Sequence, residues 1–219
     1  MNEIQIKNLL PNVFIGMENT SRIRESGIWE VPSFTFPKGC KICLQAESGG
    51  GKSSLLSFIF GNRNDYIGEI LFDGENVRNF SVGKWCEIRQ TKIALLPQEM
   101  RLFPELTVME NISLKNNLTG SKSMSQIEGL LDVLGVLDKK NTPVGKLSIG
   151  QQQRVAIIRT LCQPFDFIFL DEPVSHLDET NNKIVARLVE NEAEAQGAGI
   201  ISTSVGNHLL LSNPQFVNL

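Results

Sequence analysis

Ala46-Glu47-Ser48-Gly49-Gly50-Gly51-Lys52-Ser53-Ser54 is the stretch that decides the fold. It matches the pattern G-x-x-x-x-G-K-[ST], except that alanine replaces the first glycine, which a negative φ angle permits. In this pattern backbone N–H groups surround a phosphate, and the following helix points the positive end of its dipole at the same charge. Residues 42–44 form an apolar run before the stretch, and apolar residues recur at helical spacing over residues 55–60. An ordinary glycine-rich turn would not require this strand–loop–helix context, so we predict a phosphate-binding loop.

Two side chains of this loop have expected chemical roles. Lys52 is expected to reach the β- and γ-phosphates of a nucleotide, and Ser53 is expected to place its hydroxyl on Mg²⁺. The predicted nucleotide-binding residues of the loop are Ser48, Gly49, Gly50, Gly51, Lys52, Ser53 and Ser54.

Composition limits the possible functions. The 219-residue chain carries 21 Lys and Arg residues against 24 Asp and Glu residues, which gives a net charge of −3. This length suits one domain, or a core with an inserted subdomain, and the charge gives no reason to expect nucleic acid as a partner. No apolar run approaches the roughly 20 uncharged residues of a membrane span, and the amino terminus lacks a signal pattern. We therefore expect the chain to fold in the cytosol.

Two of the four cysteines, Cys40 and Cys43, have the C-x-x-C spacing that can indicate a zinc or redox site. Residues three apart on a strand point to opposite faces of a sheet, and Cys86 and Cys162 supply no second pair. We interpret the cysteines as small buried hydrophobic residues.

The pattern of apolar residues predicts the order of strands and helices. Strand-like segments recur at residues 4–7, 33–36, 68–72, 93–96, 165–170 and 199–203, and helical spacing occurs at 108–114, at 125–134 and after 148. The polar residues 19–27 are interpreted as a long turn at the edge of a sheet. We predict an α/β fold: a phosphate-loop NTPase core with a mostly parallel sheet, flanking helices and an antiparallel β edge subdomain, plus an inserted helical subdomain. The single domain 1–219 would have its core at about 1–97 and 161–219, and its helical subdomain at about 98–160.

Two adjacent carboxylates follow the apolar segment 168–170, where ligands bind in open α/β sheets. Asp171 is expected to orient the Mg²⁺ shell, and Glu172 is expected to polarise the attacking water as general base. A solvated strand end is the alternative interpretation.

A further motif, Leu147-Ser148-Ile149-Gly150-Gln151, precedes these acids. Ser148 is expected to cap a helix whose free N–H groups form an anion site. The chain resembles the nucleotide-binding subunit of ABC transporters. The resemblance spans nearly the whole length and depends on the order of several motifs: the loop at 46–53, Gln98 after a strand, the L-S-x-G-Q signature at 147–151, the acids at 171–172, and Ser175-His176-Leu177-Asp178.

The resemblance implies an ATPase that uses ATP and Mg²⁺ and works as a dimer with a second copy or a paralogous subunit. The signature would contact the ATP held by the opposite subunit, and residues 175–178 would form a dimer-contact loop in which His176 replaces the usual alanine and is interpreted as incidental. Gln98 would reach the metal and the attacking water, so that Ser53, Gln98 and Asp171 would surround the metal. Phe14 is the expected adenine-stacking ring, with Trp29 as the alternative.

The resemblance also implies a membrane partner. An integral membrane permease would contact the loop around Met100 and Phe103, whose apolar side chains are expected to be exposed, and would hold the subunit on the cytoplasmic face of the membrane. ATP binding would close the dimer and hydrolysis would open it, which would energise the permease.

One departure concerns catalysis. ABC subunits carry a histidine directly after the last core strand, and Ser204 stands at that position here. We place Ser204 among the catalytic residues with Gln98 and Glu172, and we consider His208 as a substitute if Gly206 turns the chain back. This departure, together with Ala46 and Ile149, favours an alternative function, an ATP-binding assembly module with slow or absent turnover. A soluble ABC ATPase acting outside transport is the other alternative.

Overall fold

A computed structural model describes residues 1–17 and 19–219. Its strands are β1 (Glu3–Pro11), β2 (Phe34–Pro37), β3 (Lys41–Gln45), β4 (Tyr66–Phe72), β5 (Glu75–Asn76), β6 (Ile93–Leu96), β7 (Phe167–Asp171), β8 (Gly199–Ser204) and β9 (Gln215–Asn218). Its α-helices are α1 (Ser21–Arg24), α2 (Lys52–Ile59), α3 (Val82–Thr91), α4 (Val108–Asn116), α5 (Met124–Val133), α6 (Ile149–Leu161) and α7 (Glu179–Gln196).

A parallel five-stranded sheet with the order β6-β7-β8-β3-β9 forms the centre of the structure. Every residue of β7 and β8 is buried. Phe167 and Phe169 belong to one hydrophobic cluster and Ile168 and Leu170 to another, so each face of the sheet packs against its own layer. Because the strands are parallel, the segments that follow β3, β6, β7 and β8 all begin at one edge of the sheet.

A second sheet is antiparallel and has the order β2-β1-β4-β5. The pairing of β1 with β4 shifts in register between Lys7 and Leu10. At this irregularity Gly68 has a φ of +88°, and a Cβ at that position would lie 2.2 Å from the carbonyl oxygen of Asn8. Only glycine fits there. The two sheets confirm the predicted α/β fold with an antiparallel edge.

Helices α4, α5 and α6 lie between β6 and β7 in the chain, as the helical spacing predicted. Thr107, Ser123 and Ser148 cap them, and each forms a reciprocal capping box with the residue three positions later. Their buried side chains share one hydrophobic cluster with β7 and α7. The division of the chain near residues 98 and 160 remains a proposal.

Three elements differ from the sequence-based expectation. Residues 21–24 form helix α1 rather than part of a long turn, and Ile23 and the neighbouring Trp29 are buried. Helix α3 buries only Ile88, so its sequence shows almost no apolar stripe. Strand β9 buries only Val217 and lies at the edge of the parallel sheet, where the alternation is too short to detect.

The cysteines are mostly buried, as expected for small hydrophobic residues. Cys43 and Cys162 are fully buried and Cys40 is half-buried, whereas Cys86 is exposed on α3. Burial raises the pKa of the Cys40 and Cys162 thiols to about 12. Within the described residues, no group of His, Cys, Asp or Glu side chains could by itself hold a metal ion. In the same part of the chain, no helix is long and apolar enough to cross a membrane.

Candidate functional site

A cavity of about 490 Å³ lies at the carboxyl edge of the parallel sheet. Residues of the loop 46–54 form one side of it, and Gln98 and Glu172 face them from the ends of β6 and β7. Pro11, Val13, Phe14 and Met17 also line it. The structure therefore brings together the predicted loop, the amide and the acid, although Ser48 and Glu172 lie 124 positions apart in the sequence.

The loop has the backbone that a phosphate-binding turn requires. Gly49 and Gly51 have positive φ angles of 80° and 93°, whereas Ala46 does not, which agrees with the tolerated alanine. A Cβ on Gly50 would lie 2.6 Å from that of Ala46, so alanine fits at position 46 and not at position 50. Gly51 is the N-cap of α2, and the helix begins at Lys52.

The side chain of Lys52 bonds the backbone at the start of the loop. Its Nζ donates hydrogen bonds to the carbonyl oxygens of Ala46 at 2.9 Å and Glu47 at 3.1 Å. Burial lowers the pKa of the ammonium, although the charges of Glu172 and Asp171 oppose that shift. Among the residues that the structure describes, the cation thus has carbonyl oxygens and no carboxylate as hydrogen-bond partners.

Trp29 supports the loop from the protein interior. It is 1% exposed, its Nε1 donates to the carbonyl oxygen of Gly50 at 3.2 Å, and a Cβ on Gly51 would lie 2.8 Å from its ring. Both faces of the indole are therefore enclosed, so Trp29 cannot stack on a base. Its structural role was not predicted from the sequence.

A residue of β8 bonds both acidic residues at the end of β7, one through its carboxylate and the other through its backbone. Asp171 is 5% exposed, and its Oδ1 accepts a 2.6 Å hydrogen bond from the hydroxyl of Thr203. The same hydroxyl accepts a 3.1 Å bond from the backbone N–H of Glu172. Nε2 of Gln98 donates to Oε2 of Glu172 at 3.3 Å. Glu172 has a φ of +49°, an unusual conformation for a residue other than glycine.

The signature motif forms the start of helix α6. Ser148 accepts a hydrogen bond from the N–H of Gln151 at 3.3 Å, and Oε1 of Gln151 accepts one from the N–H of Ser148 at 3.0 Å. Ile149 is 50% exposed, and a Cβ on Gly150 would lie 3.1 Å from the carbonyl oxygen of His176. Among the described residues that line the nucleotide cavity, none comes from Leu147–Gln151.

The predicted dimer-contact loop lies beside the start of α6. Ser175 and His176 are exposed, and the Ser175 Oγ is 3.0 Å from Nδ1 of His176. Leu177 packs partly into the core. Asp178 caps α7 by accepting a 2.7 Å hydrogen bond from the N–H of Asn181, and this bond holds the pKa of the carboxyl below its usual range.

The structure argues against Phe14 as the base-stacking ring. Phe14 lines the cavity but is only 5% exposed, and its ring packs edge-to-face on Trp29 with the centroids 6.1 Å apart. The short turn at Asn12–Phe14 directs the ring inward. Val13, which lines the same cavity, is 68% exposed and presents an aliphatic surface instead.

Ser204 also lies elsewhere than a catalytic role requires. It is 2% exposed, and its Oγ lies 3.7 Å from Sγ of Cys43 within the sheet. It lines a separate cavity of about 810 Å³ on the other side of the loop. His208 does not turn back either, because its ring packs on Phe216 with the centroids 5.2 Å apart.

The loop after β6 corrects the prediction for Met100. Met100 and Arg101 have positive φ angles, and Met100 is only 8% exposed because this turn directs its side chain into the helical core. Arg159 fixes the turn by donating to both carbonyl oxygens. Phe103 is 53% exposed, as predicted, and buried Asn111 bonds both its N–H and its carbonyl oxygen.

Comparison with known proteins gives concordant results. The ABC transporter family model matches residues 30–175. The chain is similar to the uncharacterized ABC transporter ATP-binding protein YclH of Bacillus subtilis, with 32% identity over 173 residues that cover 77% of this chain and 75% of that protein. It is also similar to the lipoprotein-releasing system ATP-binding protein LolD of Shewanella denitrificans, with 26% identity over 198 residues that cover 89% and 85% of the two chains. A solved dimeric structure of a bacterial ABC transporter cassette has a TM-score of 0.75 and 25% identity, and the match covers 92% of this chain and 87% of that one.

Proposed function

This chain belongs to the ABC transporter family as an ATP-binding subunit, and we propose that it hydrolyses ATP in the 490 Å³ cavity to energise a membrane permease. The observation that carries the proposal is the meeting of the phosphate loop, Gln98 and Glu172 around one cavity. A phosphate cradle alone would support binding, whereas a carboxylate opposite it also supplies a base for the attacking water.

The proposed chemistry divides among a few side chains. Lys52 and the loop N–H groups bind the phosphates, and Glu172 takes a proton from water as it attacks the γ-phosphate. Gln98 orients Glu172 through its Nε2, which leaves its Oε1 free to accept a bond from the water.

Mg²⁺ fits the donors that the site offers. The hydroxyl of Ser53, the amide oxygen of Gln98 and the carboxylate of Asp171 are hard oxygen donors of the kind that this ion prefers. Thr203 donates to one oxygen of Asp171, and no other residue in the described part of the chain bonds the second oxygen, which could therefore face the ion. The ion would neutralise the charge that develops on the phosphates.

We propose that two copies, or this chain and a paralogue, form the complete site. Since the signature residues do not line the described cavity of their own chain, their helix start is available to an ATP bound elsewhere. In a head-to-tail dimer, the signature of each copy would contact the ATP bound by the other copy, and residues 175–178 would lie at the interface.

The permease contact is proposed at Phe103 and the exposed face of α4. Leu114, on α4, is 48% exposed, and Leu118, two residues after the end of this helix, is 56% exposed. Such apolar side chains suit a helix of a membrane protein, which would hold the subunit at the cytoplasmic face of the membrane. Met100 is not part of this surface.

The position of Ser204 favours slow turnover, or an ATP-binding assembly module as the second candidate function. The residue in the place of the usual histidine contacts Cys43 rather than the cavity that contains Glu172. Turnover of the isolated subunit would then depend on Glu172 and Gln98 without a third group to hold the water.

The test is Glu172→Gln, compared with the parent under saturating MgATP. We expect unchanged ATP affinity, loss of hydrolysis by about 10²-fold or more, and an ATP-held dimer on size-exclusion chromatography, because only the base is removed. A variant that hydrolyses ATP at the parental rate would place the base elsewhere. A parent that binds ATP and dimerises without measurable hydrolysis would establish the assembly module.

A further inference from the structure

The buried side chain of Gln153 bonds three residues of the candidate site, although Gln153 belongs to none of the motifs described above. It lies on α6 and is 3% exposed. Its Nε2 donates to the carbonyl oxygen of Glu172 at 3.1 Å and to Oγ of Ser175 at 3.3 Å. Its Oε1 accepts from the backbone N–H of His176 at 3.1 Å. Both ends of the amide are therefore occupied by one loop, residues 172–176.

The bond to Glu172 matters because of the backbone conformation there. A left-handed φ at a residue other than glycine is unfavourable and persists only when its surroundings impose it. Two buried side chains impose it here: Thr203 accepts from the N–H of Glu172, and Gln153 donates to its carbonyl oxygen. The N–H of Ser175 also donates to this carbonyl oxygen, at 3.4 Å. The three bonds together set the direction in which the carboxylate leaves the backbone, and hence its contact with Gln98.

The bonds to Ser175 and His176 connect the same amide to the dimer-contact loop. Gly150, one turn before Gln153, packs so closely on His176 that an added Cβ would lie 3.1 Å from its carbonyl oxygen. The start of α6 and the loop are therefore in close contact, and we expect a displacement of one to be felt by the other.

We propose that Gln153 is a positioning residue that sets Glu172 in its catalytic orientation and transmits to it any displacement of loop 175–178. The proposal rests on the proposed function, since it assumes that Glu172 is the base and that a second copy contacts the loop. A partner pressing on Ser175 or His176 would change the hydrogen bonds of Gln153 and, through them, the position of the carboxylate. Hydrolysis in one site would thus depend on whether the dimer is closed.

The first experiment compares Gln153→Met with Gln152→Met in the full chain. Methionine preserves most of the volume and removes the amide. Gln152 is a matched control because its Nε2 donates to the carbonyl oxygen of Leu147, at 3.1 Å, and to no other atom of the described residues. We expect kcat to fall at least about tenfold in Gln153→Met, with the Kd for ATP within about twofold of the parent, and to stay within about twofold in Gln152→Met.

A purely structural role is separated by a double-mutant cycle with Ser175→Ala. If Gln153 transmits the position of the loop, Ser175→Ala lowers kcat in the parent and has no further effect in Gln153→Met. Additive effects, or an unchanged kcat in Gln153→Met, would overturn the proposal. Gln153→Asn, which keeps a shorter amide, replaces the methionine variant if thermal unfolding shows that the latter does not fold.

A failure of the proposed ATPase function can be distinguished from a failure of the proposed role of Gln153. A parent that binds ATP without hydrolysing it contradicts the ATPase, and Gln153 is then judged by ATP-dependent dimerisation in light scattering. Loss of the anchor at Ser175 and His176 should weaken that dimer at least about tenfold in Gln153→Met but not in Gln152→Met. Equal dimerisation of the two variants would then overturn the role of Gln153.

Discussion

Thr203→Val should destabilise the protein far more than a buried hydroxyl usually does. Valine has nearly the same shape, but it removes the group that donates to Oδ1 of Asp171 and accepts from the N–H of Glu172. Thr203 is 0% exposed and Asp171 is 5% exposed, so water cannot easily replace either bond. The sequence change is small, but it affects both acids of the proposed site at once.

The magnitude follows from the two bonds. A hydrogen bond to a charged group contributes about 1.5–3 kcal/mol, and a buried donor left without a partner costs about 1–3 kcal/mol, so we expect a total loss of about 3–5 kcal/mol. Thr160→Val is the matched control, since Thr160 is 5% exposed and donates to the carbonyl oxygen of Ala156 in its own helix at 2.8 Å. That neutral bond should contribute only about 1 kcal/mol.

Urea denaturation of the nucleotide-free protein, followed by circular dichroism, measures both variants against the parent. We also expect the surviving folded fraction of Thr203→Val to hydrolyse ATP more slowly, because the backbone N–H of Glu172 loses its hydrogen bond to Thr203. If Thr203→Val lowers the free energy of unfolding no more than Thr160→Val does, the hydroxyl of Thr203 does not stabilise both acidic residues as argued.

Three other changes test separate parts of the structure. Lys52→Ala should reduce ATP binding, measured by calorimetry, to near the detection limit, since it removes the buried cation at the phosphate loop; unchanged affinity would remove the loop assignment. Phe103→Ala should leave the free energy of unfolding nearly unchanged and weaken copurification with the membrane partner by about 1–3 kcal/mol, whereas Met100→Ala should cost about 2–5 kcal/mol of stability because that side chain is buried. Equal unfolding curves for the two variants would contradict this assignment. Asp166 is partly buried, which raises its pKa, but hydrogen bonds from the amino terminus and Lys38 outweigh burial and hold the pKa below its usual range. A group whose pKa is lower in the folded state stabilises the protein at pH values above its unfolded pKa of about 3.9, and this stability is lost as the pH falls through the folded pKa. The urea concentration at the midpoint of unfolding should therefore decrease as the pH is lowered below about 4, and it should decrease less steeply in Asp166→Asn.

The sequence predicted where the candidate site residues lie in the fold better than it predicted the directions of their side chains. The loop at 46–54, Gln98 and the acids at 171–172 were located because each follows a strand of one parallel sheet, whose carboxyl edge gathers them. Phe14 and Met100 were misjudged for a common reason. Each sits in a turn whose backbone sends the side chain inward, and residue type alone does not reveal that direction.

The supporting residues were missed because their types are ordinary in their elements. Thr203 is a typical strand residue, and its role depends on its register with Asp171 in the neighbouring strand. Gln153 is the last of three consecutive glutamines at the end of the signature, and its burial and hydrogen bonds distinguish it from the other two. Both act across a sequence separation that no local pattern records.

The left-handed backbone of Glu172 has a consequence for laboratory evolution. Glycine and asparagine adopt this conformation more readily than glutamate, so replacing the glutamate with either should make the fold more stable by roughly 0.5–1 kcal/mol. Selection for heat resistance alone would then enrich inactive variants at this position. A library screened for thermostability therefore needs a parallel screen for turnover, because the residue that we propose as the catalytic base is also one that the fold would more easily do without.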